Sequence, residues 1–148
     1  MKLFLVRHAK AFSRSRWRED DELRPLTPAG DLQAEAIATA LAEEHPRRLI
    51  SSPSVRCVQT LGPLARTTGL RIEQDARLAE GAPLDSAALL LASLGSEPAV
   101  ICGHGDLLPV LVASFDAKGV RPSEIDCEKG SFWRIEEDAE GGRRATYW

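Results

Sequence analysis

Apolar positions along the chain fall into two kinds of run, and their order predicts alternating strands and helices. Leu3-Phe4-Leu5-Val6 is apolar without alternation, the pattern of a strand buried on both faces of a parallel sheet. Ala99-Val100-Ile101-Cys102 repeats it, Leu49-Ile50-Ser51 is a shorter version, and Leu70 to Glu73 reads as an edge-like strand. Between these runs the spacing turns helical. Leu26-Thr27-Pro28-Ala29-Gly30 opens a helix, with Thr27 as N-cap and Pro28 at the first helical position. Leu32, Ala36, Ile37, Ala40 and Leu41 form its predicted apolar stripe, and the helix ends before Pro46. Ser51-Ser52-Pro53 turns the chain into a second helix carrying Val55, Val58, Leu61 and Leu64. Gly62-Pro63 is expected to kink or split that helix, and Gly69 to end it. Ser86 to Leu94 and a segment through Leu107, Leu111 and Val112 are further helices. After an irregular stretch from Gly119 to Lys129, Ser131 to Glu136 and Arg143 to Tyr147 read as an antiparallel hairpin around Gly141-Gly142. Alternating strands and helices imply right-handed crossovers and a three-layer α/β/α sandwich, with a mostly parallel sheet and an antiparallel C-terminal edge. No repeat, low-complexity tract or linker interrupts the pattern, so a single domain over residues 1–148 is expected.

The polar residues matter most where the strands stop. In open α/β sheets the carboxyl ends of the strands face the ligand crevice. Arg7 and His8 follow the first strand, and His104 follows the strand at Ala99-Cys102 through Gly103. His45, beside Pro46 at a polar helix end, reads as surface. If the two strands are neighbours, His8 and His104 converge. Arg56 falls in the first turn of the second helix, near the same edge. A cation there opposes the helix dipole, which is more intelligible if both face a bound anion. Arg7, His8, Arg56 and His104 together suit a doubly charged phosphoryl group, because guanidinium forks match phosphate oxygens.

A neutral histidine with one free ring nitrogen can attack phosphorus, provided the other nitrogen donates to a fixed acceptor. Two arginines and a protonated His104 would stabilise the transferred group. Glu80, in a loop after a strand, is either a general acid for the leaving group or a solvated glutamate. Asp106 is a weaker candidate that could simply cap the next helix. The polar stretch from Lys10 to Pro25 reads as a long loop over the site, with Trp17 its one large aromatic. Trp17 or Trp133 could stack on a base.

Composition excludes some classes. Of 148 residues, 19 are basic and 22 acidic, which gives no footprint for nucleic acid or an anionic membrane. No apolar run approaches the roughly 18 residues of a membrane span. The chain enters a strand at once, so no signal peptide is expected. Cys57, Cys102 and Cys127 are widely spaced and fit neither a disulfide framework nor a zinc knuckle, so they read as small buried hydrophobes in a cytoplasmic protein. No HxH pair, P-loop or clustered carboxylates suggest a metal, and no cofactor is expected.

At these residues the chain resembles the histidine phosphatase superfamily, with the phosphoglycerate-mutase-like fold. Arg7-His8, then Arg56, then His104 match its ordered signature. Arg7-His8-Ala9-Lys10-Ala11, Arg24-Pro25-Leu26-Thr27 and Gly30 resemble the small SixA-like branch. Ser15-Arg16-Trp17, Arg56-Cys57-Val58-Gln59-Thr60 and Lys129-Gly130-Ser131-Phe132-Trp133 are similar to a phosphatase-like domain found behind a Nudix hydrolase in actinobacterial proteins, although no Nudix box is present. The resemblance implies a phosphorylated His8 with Arg7, Arg56 and His104 as phosphate ligands. It implies as substrate a phosphohistidine protein or a phosphorylated small molecule, nucleotides included. Lys10, Ser13, Arg16, Trp17 and Lys129 are the expected substrate contacts. Two departures stand out. Ala9 replaces the family's glycine, and the chain has no asparagine, so the phosphate-binding loop Asn of the mutases is missing. Lys10 or Ser13 could substitute for it. The alternative to an enzyme is a phosphate-binding module without turnover.

Overall fold

The computed structural model describes residues 1–115 and 120–148. Six strands and four helices follow in the order β1 (Lys2–Arg7), α1 (Pro28–Ala42), β2 (Arg48–Ser51), α2 (Val55–Thr68), β3 (Ile72–Gln74), α3 (Leu84–Ala92), β4 (Ala99–Gly103), α4 (Leu108–Phe115), β5 (Phe132–Glu137) and β6 (Arg143–Tyr147). The strands form one sheet in the order β3-β2-β4-β1-β5-β6. β3, β2, β4 and β1 run parallel, while β5 and β6 join antiparallel. The expected α/β sandwich with an antiparallel C-terminal edge is therefore what forms. Gly119 lies outside the described residues; from Val120 to Lys129 the only regular piece is a short 3-10 turn at Pro122–Glu124.

The uninterrupted apolar runs reflect burial on both faces. Phe4, Val6, Leu49, Val100 and Cys102 point to one side and pack with Ile37 and Leu41 of α1 and Cys57, Leu61 and Leu64 of α2. Leu3, Leu5, Ile50, Ala99 and Ile101 point to the other, against Ala87 and Leu90 of α3 and Leu108, Leu111 and Val112 of α4. Side chains alternate across a strand, so a double-sided core needs apolar residues at every position.

Three local expectations need correction. The buried face of α1 is Gly30, Ala34, Ile37, Ala38 and Leu41, whereas Leu32 is 73% exposed and Ala36 lies outside. With alanines on several faces, apolar spacing alone does not choose between two stripes. α2 is not split at Gly62-Pro63; it runs unbroken from Val55 to Thr68 with Pro63 buried inside it. Gly62, lacking a Cβ, removes much of the clash that a residue before proline normally suffers in a helix. Val55 and Val58 are only half-buried, and Thr60 takes a core position instead. β3 starts at Ile72, two residues late, after Gly69 closes α2 in the left-handed conformation (φ 73°).

The start of α1 is what fixes the loop after β1. Thr27 caps the helix by accepting from the Gly30 N–H at 3.1 Å. Its own N–H donates to the Lys10 carbonyl at 2.9 Å. A Cβ on Gly30 would lie 2.0 Å from that same Lys10 oxygen. Backbone cannot yield as a side-chain tip can, so Gly30→Ala should destabilise the protein by about 3 kcal/mol. Gly62→Ala, whose Cβ meets only the Arg66 guanidinium at 3.6 Å apart from its chain neighbours, brings back part of the clash with Pro63 and should be destabilising by much less than Gly30→Ala. Urea denaturation of both variants checks this, and equal midpoints would contradict the contact.

Candidate active site

Parallel pairing of β1 and β4 brings the two strand ends together. Arg7 lies in register with Gly103, and the His8 N–H donates to the Gly103 carbonyl at 3.1 Å. The imidazoles of His8 and His104 consequently face each other edge-on, with centroids 5.4 Å apart. Both are buried.

The His8 ring is fixed by its neighbour. Nδ1 lies 2.8 Å from the Ala9 carbonyl oxygen. A carbonyl only accepts, so Nδ1 carries the hydrogen and the lone pair of a neutral ring is left on Nε2. Burial, the largest influence, pushes the His8 pKa down to about 3, with the positive charges of Arg56 and Arg7 and the His104 ring acting the same way and the Ala9 carbonyl opposing. Ala9 itself is buried with Leu26 and Ala34, and its N–H donates to Thr60 Oγ1 at 2.9 Å. Its φ is not positive, so the residue in the family's glycine position needs no glycine here.

His104 is held by a hydroxyl. Ser52 Oγ sits 2.9 Å from His104 Nε2, and Arg56 Nη2 lies 3.5 Å from Nδ1. A hydroxyl can donate or accept, so Ser52 suits either His104 tautomer.

Arg56 is 1% exposed and reaches the same edge from α2. Nη1 donates to the Asp21 carbonyl at 2.7 Å. Nη2 lies 3.1 Å from both Asp21 Oδ2 and Glu80 Oε2. Asp21 also takes Arg24 Nε at 3.0 Å and Arg14 Nε at 3.4 Å. Burial works to raise the Asp21 pKa, but the Arg24 hydrogen bond and the charges of Arg56, Arg24 and Arg14 outweigh it and hold the group below the usual carboxylate range. Arg7 reaches the site from the end of β1. Its Nη1 donates to the Cys127 carbonyl, and its guanidinium lies flat on Gly105, where a Cβ would be 2.8 Å from Cζ. The Nε–H groups of Arg7 and Arg56 are buried without partners.

Of the expected residues, the fold thus gathers Arg7, His8, Arg56, His104 and Glu80. Glu80 is an ion-paired group, bound by Arg56 and by Arg14 Nη2 at 3.1 Å. Asp106 does not cap α4; its Oδ2 accepts the Gly81 N–H at 2.9 Å and so secures the Glu80 loop. Trp17 lines a cleft of about 410 Å³ with Arg14, Glu19, Asp21 and Glu80, and its Nε1 donates to the Asp20 carbonyl. Ser13 and Arg16 are exposed, and Ser13 Oγ turns to Ser15 Oγ. Trp133 packs against Tyr147, and its Nε1 donates to the Asp126 carbonyl. Lys10 and Lys129 are exposed, with backbones bridged by Gln33, which accepts from the Lys10 N–H and donates to the Lys129 carbonyl. Cys57 and Cys102 are buried as expected, but Cys127 is only half-buried. Asp21, Ser52, Gly105 and Gln33 were not foreseeable as site residues. The sequence carries only a faint signal for Asp21, an acid three residues before the Arg24-Pro25-Leu26-Thr27 run.

The sequence model of the histidine phosphatase superfamily (branch 1) matches residues 3–83. An 8-oxo-(d)GTP phosphatase of Mycolicibacterium smegmatis is 34% identical over 137 residues, which is 88% of this chain but 42% of that protein. The chain therefore spans under half the length of that curated relative. The protein histidine phosphatase SixA, solved with tungstate, superposes with a TM-score of 0.83 at 23% identity, covering 100% of this chain and 95% of SixA. A mycobacterial glucosyl-3-phosphoglycerate phosphatase gives 0.77 at 21% identity, covering 99% and 97%. At such identities these structures bear on the fold alone, whereas the match to the family model takes in more than half of the sequence. This chain belongs to branch 1 of the histidine phosphatase superfamily.

Proposed function

We propose that the chain is a phosphatase for phosphorylated small molecules, with His8 as nucleophile. The observation that carries this reading is the Nδ1–H bond from His8 to the Ala9 carbonyl, which leaves the Nε2 lone pair of a neutral ring free in a site that also holds the buried Arg56 and the half-buried Arg7. Nε2 attacks phosphorus as the bond to the leaving oxygen breaks, giving an Nε2-phosphohistidine. Arg7, Arg56 and His104 hold the three peripheral oxygens, where the charge of the transition state accumulates. Glu80, an ion-paired carboxylate in the free site, is displaced from Arg56 by the arriving phosphoryl group, takes up a proton from solvent and gives that proton to the leaving oxygen. It then takes a proton from the water that attacks phosphorus, which frees His8 and inorganic phosphate. Ser52 positions His104, and Asp21 positions Arg56. Because Asp21 and Glu80 both reach Arg56 Nη2, an arriving phosphoryl oxygen competes with them for that donor.

A small molecule is favoured over phosphohistidine because Glu80 stands at the pocket. An imidazole leaving group needs little acid assistance, whereas an alkoxide needs a proton donor. The test is kcat/KM over a panel of sugar phosphates, nucleotides, p-nitrophenyl phosphate and a phosphohistidine peptide. Esters or anhydrides should lead the series, and radiolabelled substrate quenched in alkali should leave phosphate on the protein. Preference for the phosphohistidine peptide would reverse the substrate assignment. No turnover of any member would leave a phosphate-binding module.

A further inference from the structure

Four charges alternate around a ring beside the pocket. Arg56 Nη2 lies 3.1 Å from both Asp21 Oδ2 and Glu80 Oε2. Arg14, in the loop after β1, contacts the same two carboxylates. Its Nη2 donates to Glu80 Oε1 and Oε2 at 3.1 Å, and its Nε lies 3.4 Å from Asp21 Oδ1. The two arginines are not equivalent. Arg56 is buried, whereas the Arg14 side chain is 65% exposed. An ion pair as exposed as that of Arg14 with Glu80 adds little to stability. Its importance comes from what Glu80 has to do.

The backbone beside Glu80 is secured, because the Gly81 N–H donates to Asp106 Oδ2 at 2.9 Å. The side chain depends on the arginines. Among the described residues the Glu80 carboxylate is hydrogen-bonded to Arg14 and Arg56 alone. The cleft that Glu80 and Arg14 line is completed by Trp17, Glu19 and Asp21, and two further acids cannot hold a carboxylate. A phosphoryl group that takes Arg56 therefore removes one of two tethers just when Glu80 must stay within hydrogen-bond reach of the leaving oxygen. The two oxygens divide the task. Oε2 is the one that Arg56 contacts, so it faces the transferred group once Arg56 is taken. Oε1 is bonded to Arg14 and not to Arg56.

We propose that Arg14 is a positioning residue for proton transfer to the leaving group, holding Glu80 by Oε1 while Oε2 carries the proton. This rests on the phosphatase reading and adds to it a residue outside the phosphate-binding set. A proton from solvent adds to Oε2. The bond from His8 Nε2 to phosphorus forms as the bond from phosphorus to the leaving oxygen breaks, with its electron pair on that oxygen. The Oε2 proton then passes to the leaving oxygen, which restores the Glu80 carboxylate. Arg14 keeps its hydrogen bond to Oε1 throughout and exchanges no proton.

Aryl phosphates of similar shape but different phenol acidity test this. Because kcat/KM covers the steps up to the phosphohistidine, the later attack of water does not enter. p-Nitrophenolate leaves readily without a proton, whereas phenolate gains more from an acid. Arg14→Met should lower kcat/KM for phenyl phosphate roughly tenfold more than for p-nitrophenyl phosphate, a fraction of what a general acid contributes. Arg14→Lys, which keeps a donor for Oε1, should recover most of that difference. Glu80→Gln should widen the gap between the substrates at least as far. Adding Arg14→Met to Glu80→Gln should widen it no further, because both changes act through one contact. A residue that only braced the loop would slow both substrates alike. Equal losses on the two substrates, a narrower gap, or an Arg14→Met effect on the gap that persists beside Glu80→Gln overturns the assignment. Absence of p-nitrophenyl phosphate hydrolysis by the wild-type protein overturns the phosphatase reading, and this inference with it.

Discussion

Replacing His8 with alanine should lower kcat by roughly 10⁴-fold or more, because loss of a nucleophile removes the covalent route rather than weakening it. Affinity for inorganic phosphate should survive in part, since Arg7, Arg56 and His104 stay in place. Loss of turnover together with retained binding separates a nucleophile from a ligand. Full activity in the alanine variant would reject the covalent route.

The same residue leaves a signature in stability. The pKa of His8 is about 3 in the fold against an ordinary 6.5. Between those values the unfolded chain binds a proton that the native site does not, so stability is fully present above pH 6.5 and is lost as pH falls toward 3. From pH 7 to pH 5 the loss attributable to His8 is at most about 2 kcal/mol. Urea denaturation at the two pH values should show that loss in the wild type and not in His8→Ala. Parallel pH dependence in the two proteins would mean that the ring titrates normally.

Arg56→Ala should have the second large effect, on activity and stability together. On the proposed mechanism, removing a buried guanidinium that holds the transferred oxygens costs on the order of 10³-fold in kcat/KM. It also strips Asp21 and Glu80 of one of the two arginines they share, Arg14 being the other, and leaves the Asp21 carbonyl with only the Arg24 N–H as donor. Both carboxylates are about 40% exposed, so water recovers part of the loss, and the expected destabilisation is about 2 kcal/mol. Arg56→Lys is the sharper probe, because it keeps the charge but cannot reach the Asp21 carbonyl and a phosphoryl oxygen at once. It should fold and still lose most activity. Activity within threefold of wild type would show that the fork is unnecessary. Asp21→Ala combined with Arg56→Ala should cost less than the separate losses added together, since both act through one contact.

The centre of the sheet was readable because its evidence is local. Two uninterrupted apolar runs, each followed closely by a histidine, identify strands buried on both faces and say where they end. Arg56 was readable for a similar reason: a cation in the first turn of a helix stands out against the dipole. Asp21 and Ser52 are ordinary polar loop residues until the fold brings Arg56 and His104 to them. Gly105 and Gln33 matter only because Arg7 and Gly130 approach them from far away in sequence. The stripe of α1 was misassigned because alanine suits either side of a helix, and no local rule shows that Gly30 must meet the Lys10 carbonyl. Arg16 stands in a run read by resemblance, Ser13 is offered only in place of the missing asparagine and Trp133 only as a base-stacking aromatic, and none of those readings carries a direction.

Pairing of β1 with β4 also sets an order of events. Leu3 cannot complete its place in the sheet until Ala99 is available, and the contact between His8 and His104 is as distant in sequence. Local helices such as α1 and α2 can form and pack first, but closing so long a loop is slow. On the ribosome the segment bearing His8 emerges well before Ala99 and waits, with its apolar strand unpaired, for the residues between them to be made. Chemical competence therefore arrives with the last central strand, and a chain arrested before Ala99 would expose Leu3 to Val6 to aggregation while being unable to turn over phosphate.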